Sequence, residues 1–237
     1  MINEIVLDLA NKISRKERGK KGEILATDPE YLILEPVVTT EMAEVAMALG
    51  FRIPKSAEEV APLCGKPVDD TYRLLMALAD AGVCFVNKIE GEDRFWYDTW
   101  IPGVMEMMVN KYSNVEKYPQ IGRAMEAYGR VRGPQTAGVF PVGKGLMRVI
   151  PIEKAIMGET RRASYEEVSK YLNENDIFTV SNCSCRSTRE IMGEGCGHLK
   201  EDMCIQMGHA AEYYIRTGRG RQVTREEAFE IIRRAEE

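Results

Sequence analysis

The chain has 237 residues, 44% of them hydrophobic and 29% charged, which are the proportions of an ordinary globular protein with room for one large domain or two small ones. No segment approaches the ~20 apolar residues of a membrane span, so no membrane association is expected. With 32 Lys and Arg against 37 Asp and Glu the net charge is −5, so the molecule as a whole repels polyanions, and nucleic-acid binding would need a local basic patch.

The first ten residues mix Glu4 and Asp8 with aliphatics and lack a secretory pattern, which gives a cytoplasmic location as the expectation. Ile5, Val6, Leu9, Ala10 and Ile13 recur at helical spacing, predicting an amphipathic helix that runs into the basic stretch Arg15, Lys16, Arg18, Lys20 and Lys21. From Thr39 to Asp98 the pattern is three helices and a hairpin. Thr40 caps a helix that stops at Gly50, Ser56 caps one that stops at Gly65, and Pro67 starts one that stops at Gly82. Val83 to Ile89 and Phe95 to Tyr97 then read as two strands around a Glu90-Gly91-Glu92-Asp93 turn.

This is the element order of a winged helix, a module that often places its third helix in the DNA major groove. Residues 40–98 carry six basic and eleven acidic side chains, where a phosphate-tracking surface needs unopposed Lys or Arg. Nucleic acid is therefore not expected as a partner, and the module reads as a protein-docking or packing unit. Helices are also expected from Pro102 into Tyr112 and from Tyr118 to Val131, the latter closing at Gly133-Pro134. The stretch 133–147 reads as a connector. Within it Gly138 to Lys144 imitates a phosphate-binding loop, but Gly145 stands where a hydroxyl is needed and Pro141 removes an amide.

In the second half, Met147 to Ile152 suits a strand and Ser164 to Glu167 a capping box. Ile177 to Val180 is a short strand leading to Asn182-Cys183. A second capping box, Thr224 to Glu227, opens a last helix on which Phe229, Ile232 and Ala235 share a face. The overall expectation is a mainly α protein with small β elements. It has a winged-helix-like region at 1–132, a connector at 133–147 and a helical iron–sulfur cluster region at 148–237.

That last assignment comes from the cysteines. Cys64 and Cys84 stand alone in apolar surroundings and read as core residues. Cys183, Cys185, Cys196 and Cys204 fall close together, and in a reducing compartment clustered thiols bind metal or do redox chemistry more often than they form disulfides. A tetrahedral zinc holds sulfurs about 3.7 Å apart, which a Cys-x-x-Cys turn supplies, and the chain has none. In an extended Cys183-Ser184-Cys185 segment the two sulfurs lie roughly 6.6 Å apart at ~3.3 Å per residue, which suits different irons of a [4Fe–4S] cluster.

Gly193, Gly195 and Gly197 bracket Cys196 and let the backbone wrap a bulky group and present amides to it. Arg186, Arg189 and Lys200 offset its negative charge, and His198 sits in the same loop. A helix from Glu201-Asp202 through Arg216 would aim its N-terminal amides at the cluster. The four cysteines are thus the candidate cluster ligands, with Arg186, Gly195, Gly197 and His198 around them and zinc as the alternative metal. Arg186, Arg189, Arg219 and Arg221 are candidates for a rim where an acidic redox partner docks, or else for braces of the cluster loop.

The segment Cys183-Ser-Cys185-Arg186, with Gly195-Cys196, Cys204, Gly208, Ala211, Gly218-Arg219-Gly220-Arg221 and Glu226-Glu227-Ala228, resembles a group of iron–sulfur proteins of anaerobes. The likeness extends to Pro102-Gly103, Glu106 and Arg148 to Ile152. The resemblance implies that the four cysteines hold one cluster and that the chain is an electron-transfer protein or subunit in anaerobic redox metabolism. It also implies ferredoxin-type or flavin-containing redox proteins as partners. Family members usually continue into Cys-x-x-Cys-x-x-Cys modules, which this sequence lacks, so no catalytic residue is implied. Competing readings are a cluster-sensing winged-helix regulator and a zinc-stabilised scaffold, and self-association into a homo-oligomer stays open.

Overall fold

The computed structural model describes residues 2–18, 23–136 and 168–235. The chain is mainly helical with two small antiparallel sheets, and none of its described helices is long and apolar enough to cross a membrane. The basic residues Lys20 and Lys21, the stretch from Gly138 to Lys144, the Met147 to Ile152 strand and the Ser164 to Glu167 capping box lie outside the described residues.

Helix α1 (Glu4–Arg18) buries Val6, Leu9, Ala10 and Ile13, as its spacing requires. Two short helices follow, α2 (Pro29–Leu34) and α3 (Thr40–Ala46). The cap of α3 is Thr39, one residue earlier than the sequence suggested: its hydroxyl accepts the Met42 amide at 3.2 Å. Helix α4 (Ala57–Cys64) opens on a full capping box, in which Glu59 N donates to Ser56 Oγ at 3.3 Å and Ser56 N donates to Glu59 Oε2 at 2.8 Å.

Helix α5 (Val68–Ala81) ends at Gly82, whose φ of +92° favours glycine. A Cβ there would also lie 2.6 Å from the Met108 amide nitrogen, so the position admits no side chain on either ground.

Strands β1 (Phe85–Ile89) and β2 (Glu92–Trp96) form the expected hairpin. Its turn is tighter than the sequence suggested, because Glu90 and Gly91 alone make it, with φ of 53° and 84°, and such primed turns match strand twist. The segment between α3 and α4 adds an edge to this hairpin. Lys55 pairs antiparallel with Phe95, and Arg52 N donates to Tyr97 O at 2.9 Å.

After a wide turn at Trp100–Val104 come α6 (Met105–Val109), α7 (Tyr112–Lys117) and α8 (Gln120–Thr136). The single helix expected from Pro102 into Tyr112 is thus a turn followed by α6, and α8 continues through Gly133-Pro134 instead of closing there. Its end is fastened one turn earlier. Arg132 Nε meets Glu30 Oε1 at 2.8 Å and Nη2 meets Oε2 at 3.2 Å, with Glu30 fully buried on α2. The core these helices enclose centres on Leu75, Leu78, Phe95, Trp100 and Met105. Cys84 is buried in it and Cys64 packs at its edge, as expected of structural thiols.

The remaining described elements are α9 (Val168–Glu174), β3 (Phe178–Ser181), α10 (Ser184–Ile191), β4 (Cys204–Met207), α11 (His209–Arg216), β5 (Arg221–Val223) and α12 (Arg225–Ala235). Two of these correct the sequence reading. The helix expected from Glu201-Asp202 begins only at His209, because β4 occupies the residues before it, and β5 was not foreseen. The reason is β3: all four of its residues are buried, so both edges must be hydrogen-bonded, and β4 and β5 pair with it on either side.

Thr224 and Glu227 form the expected capping box. The buried residues of α12 are Ala228 and Ile231, with Phe229 and Ile232 packed alongside and Ala235 exposed.

The Glu30–Arg132 pair gives a direct test of this packing. Glu30→Ala takes the fully buried carboxylate from Arg132, which keeps Asp28 at 3.5 Å, and should cost about 1.5–3 kcal/mol in urea unfolding. Loss of less than about 1 kcal/mol would show that α8 is not fastened there.

Candidate metal centre

The centre is assembled where β3, β4 and the start of α10 meet. In the β3–β4 register Ser181 lies opposite Cys204, and Cys183 follows two residues after Ser181. The chain then turns abruptly into helix. Cys183 is the residue at which α10 starts, its carbonyl accepting the Ser187 amide at 3.0 Å and the Ser187 hydroxyl at 2.8 Å. Cys185 therefore sits in the first turn of a helix. The extended Cys183-Ser184-Cys185 geometry expected from the sequence is not formed, because these bonds make Cys183 the helix start. Alternating side chains of one extended segment therefore do not set the spacing of these two sulfurs.

Proximity takes the place of that spacing. Cys183 and Cys185 perturb one another's ionisation, and the Cys183 charge acts on Cys204. Hydrogen bonding from Cys185 is the main reason that the Cys183 pKa falls to about 5, aided by the amides of Arg186 and Cys185 and the Arg186 charge and opposed by burial. Cys185 moves the opposite way through its coupling to Cys183, and the negative charges of Cys183, Glu106 and Cys204 add to the shift. Burial and the Cys183 charge raise Cys204, while hydrogen bonds from Ser181 and Gln206 oppose them.

The fourth cysteine stands apart. Cys196 is exposed on the loop between α10 and β4, beside a cleft of about 270 Å³ lined also by Arg186, Glu190, His198 and Lys200. The structure thus brings Cys183, Cys185 and Cys204 into one neighbourhood and leaves Cys196 at its rim. Among the described residues no group of three or more His, Cys, Asp and Glu is drawn tightly enough to hold a metal ion. The donor set, three sulfurs on fixed elements and one on an adjoining loop, fits a group that thiolates hold.

The surrounding residues divide into braces and bystanders. Arg186 donates to the Leu199 carbonyl and so holds the loop, and Cys183 N donates to Lys200 O at 2.8 Å. Arg189 pairs with Glu126 and Glu194. Gly195, Gly197 and His198 remain exposed in the loop. His209 is 80% exposed against Glu212.

Arg219 cannot belong to a docking rim. It is buried, with Nε on Met107 O at 2.8 Å and Nη2 on Asp80 O at 2.6 Å, and its guanidinium lies 5.0 Å from the Tyr213 ring centre. Arg221 is half exposed and already paired with Asp202 and Glu227.

Three residues that the sequence reading did not assign to the site belong near it. Ser181 and Gln206 face Cys204, and no sequence signal marks them because β4 itself was not foreseen. Glu106 on α6 acts on Cys185 and Cys204 across the boundary with the first half. Glu106 is among the residues that carry the family resemblance, though with no role at the site, and it is also a lone carboxylate in the apolar run Val104 to Val109.

Comparison of the chain with known protein families, with curated proteins and with solved structures finds no match.

The arginines yield a paired test. Arg219→Ala orphans buried carbonyls and should cost at least about 2 kcal/mol in urea unfolding, whereas Arg221→Ala, which breaks exposed pairs, should cost under about 1 kcal/mol. Equal small losses would remove Arg219 as a brace.

Proposed function

We propose that this chain is an electron-transfer protein or subunit that holds one [4Fe–4S] cluster through Cys183, Cys185, Cys196 and Cys204. The observation that carries the reading is the convergence of Cys183, Cys185 and Cys204 at the start of a helix, with Cys196 on the loop that borders them. Cys183, at the helix start beside Arg186, is the thiol whose pKa is lowered, and such a position favours a thiolate ligand. When bound, such a cluster supplies one-electron exchange.

The chain's own residues set the conditions for that exchange. Cys185 and Cys196 are exposed, which puts the centre within reach of a partner's redox group. Arg186 fixes the loop, and the Glu106 carboxylate disfavours added negative charge and so favours a low potential. A ferredoxin-type or flavin-containing protein is the partner this reading implies. The first half supports docking: three helices, a hairpin and the extra edge at Lys55 make a winged-helix-like module whose acidity suits a protein partner better than a nucleic acid.

A cluster-sensing regulator is the second reading, and one observation favours it. Helix α11, which follows the Cys204 strand, reaches α5 and the hairpin through Tyr213 and Arg216. The module's net −5 opposes it.

Protein purified without oxygen should be brown, with a broad visible absorption that bleaches on chemical reduction. Colourless protein carrying one zinc per chain would contradict the proposal. Fluorescence anisotropy should find no sequence-specific duplex binding tighter than about 1 μM at physiological salt, the edge of the non-specific range. Tighter specific binding would favour the regulator.

A further inference from the structure

The four cysteines are not equivalent in how the fold holds them. Cys183 is fixed through its own amide and carbonyl, Cys185 by the first turn of α10, and Cys204 by pairing with Ser181 in the sheet. Cys196 lies in the middle of a loop that is fastened only at its two ends.

At the first end Gly193 N donates to Glu190 O and Glu194 N to Arg189 O, both at 2.9 Å, and the Glu194 carboxylate meets Arg130 at 2.5 Å and Arg189 at 2.7 Å. At the second, Leu199 O accepts Arg186, Lys200 O accepts Cys183 N, and Lys200 pairs with Glu190. Between these clamps Gly195, Cys196, Gly197 and His198 form no hydrogen bond among the described residues. Gly193 and Gly197 flank the cysteine at φ of +72° and +77°, and a Cβ at either would meet nothing within 4 Å. The loop crown is therefore unbonded and exposed, with Gly195 alone passing against Glu190 at the end of α10, and the glycines at 193 and 197 leave the backbone free to turn.

Resting on the electron-transfer reading above, we infer that residues 193–199 form a strap whose closure brings Cys196 in as the last and exchangeable ligand. Binding through Cys183, Cys185 and Cys204 orders almost nothing, since their backbones are already fixed. Binding through Cys196 must order the strap, at a cost in backbone conformational entropy. That cost falls on one of the four bonds, so this bond opens first.

With a cluster bound, opening of this bond would leave a ligand position that a small thiolate entering beside Arg186, His198 and Lys200 could take. The step is a ligand exchange. The incoming thiol releases its proton, the displaced Cys196 sulfur takes one, and no electron moves.

Two measurements on the full chain test this. In the iron-free protein, hydrogen exchange at the amides of residues 195–198 should be unprotected while α10 and β4 are protected, and anaerobic loading with iron and sulfide should protect the crown. A crown already protected without iron would overturn the strap.

The second compares Cys196→Gly with Cys183→Ala and Cys204→Ala, each checked for folding by circular dichroism. Cys196→Gly should keep most of its iron and sulfide and change its visible absorption on addition of 2-mercaptoethanol. The other two should retain about tenfold less iron or lower. Equal loss in all three variants would overturn the inference while leaving the four-cysteine centre standing. Wild-type chain that takes up no iron would overturn both.

Discussion

Tyr213 and Arg219 hold helix α11 inside the first core, and the placement of the candidate centre follows from that clasp. Tyr213 is almost wholly buried, its hydroxyl donating to Ala79 O at 2.9 Å with Cys84 O at 3.2 Å, and its ring lies 5.2 Å from that of Phe85. Arg219 ties Asp80 and Met107 together behind it. Each stranded buried carbonyl would cost about 1–3 kcal/mol, which makes the clasp a large fraction of a typical domain's stability. Because β4 runs through Gly208 directly into α11, fixing this helix fixes one end of the Cys204 strand. The opposite face is set by Thr188, whose hydroxyl meets Glu126 on α8 at 2.8 Å and seats α10.

Charge is distributed as unevenly as packing. Residues 40–98 hold six basic and eleven acidic side chains, and since the whole chain has 32 and 37, the remainder has 26 of each and is neutral. The acidity of the molecule therefore belongs to the hairpin module, while the cysteine region has six basic and five acidic residues between 181 and 221. A module of this sign attracts basic protein surfaces and slows approach to a polyanion, both effects fading with salt.

What could be read from the sequence follows the range of the interactions involved. The capping boxes at Ser56 and Thr224 are contained in four consecutive residues, and the buried stripe of α1 in ten, so periodicity and side-chain chemistry find them. The Glu90-Gly91 turn was visible as a turn but not in its length, because strand pairing decides where it ends. Strands β4 and β5 were missed because each exists to satisfy an edge of β3, and nothing in their own residues outweighs the helical look of Glu201 to Arg216.

The cysteines are legible in the sequence as a group, but the extended geometry that their spacing suggests for Cys183 and Cys185 is not the one the fold adopts. One hydrogen bond from Ser187 to the Cys183 carbonyl begins a helix there and removes the extended spacing. Arg219 looked like a surface charge in a glycine-rich turn, and only the docking of α11 buries it. Glu106 illustrates the same limit: its distance from the cysteines along the chain is long, and the fold closes it.

What the four cysteines hold decides the function of the chain, and native mass spectrometry of the chain prepared without oxygen reads that composition directly. One added mass of four irons and four sulfides per chain, lost when Cys183 and Cys204 are replaced together, is the result expected. A chain carrying a single zinc, or one whose added iron survives that double replacement, would contradict it.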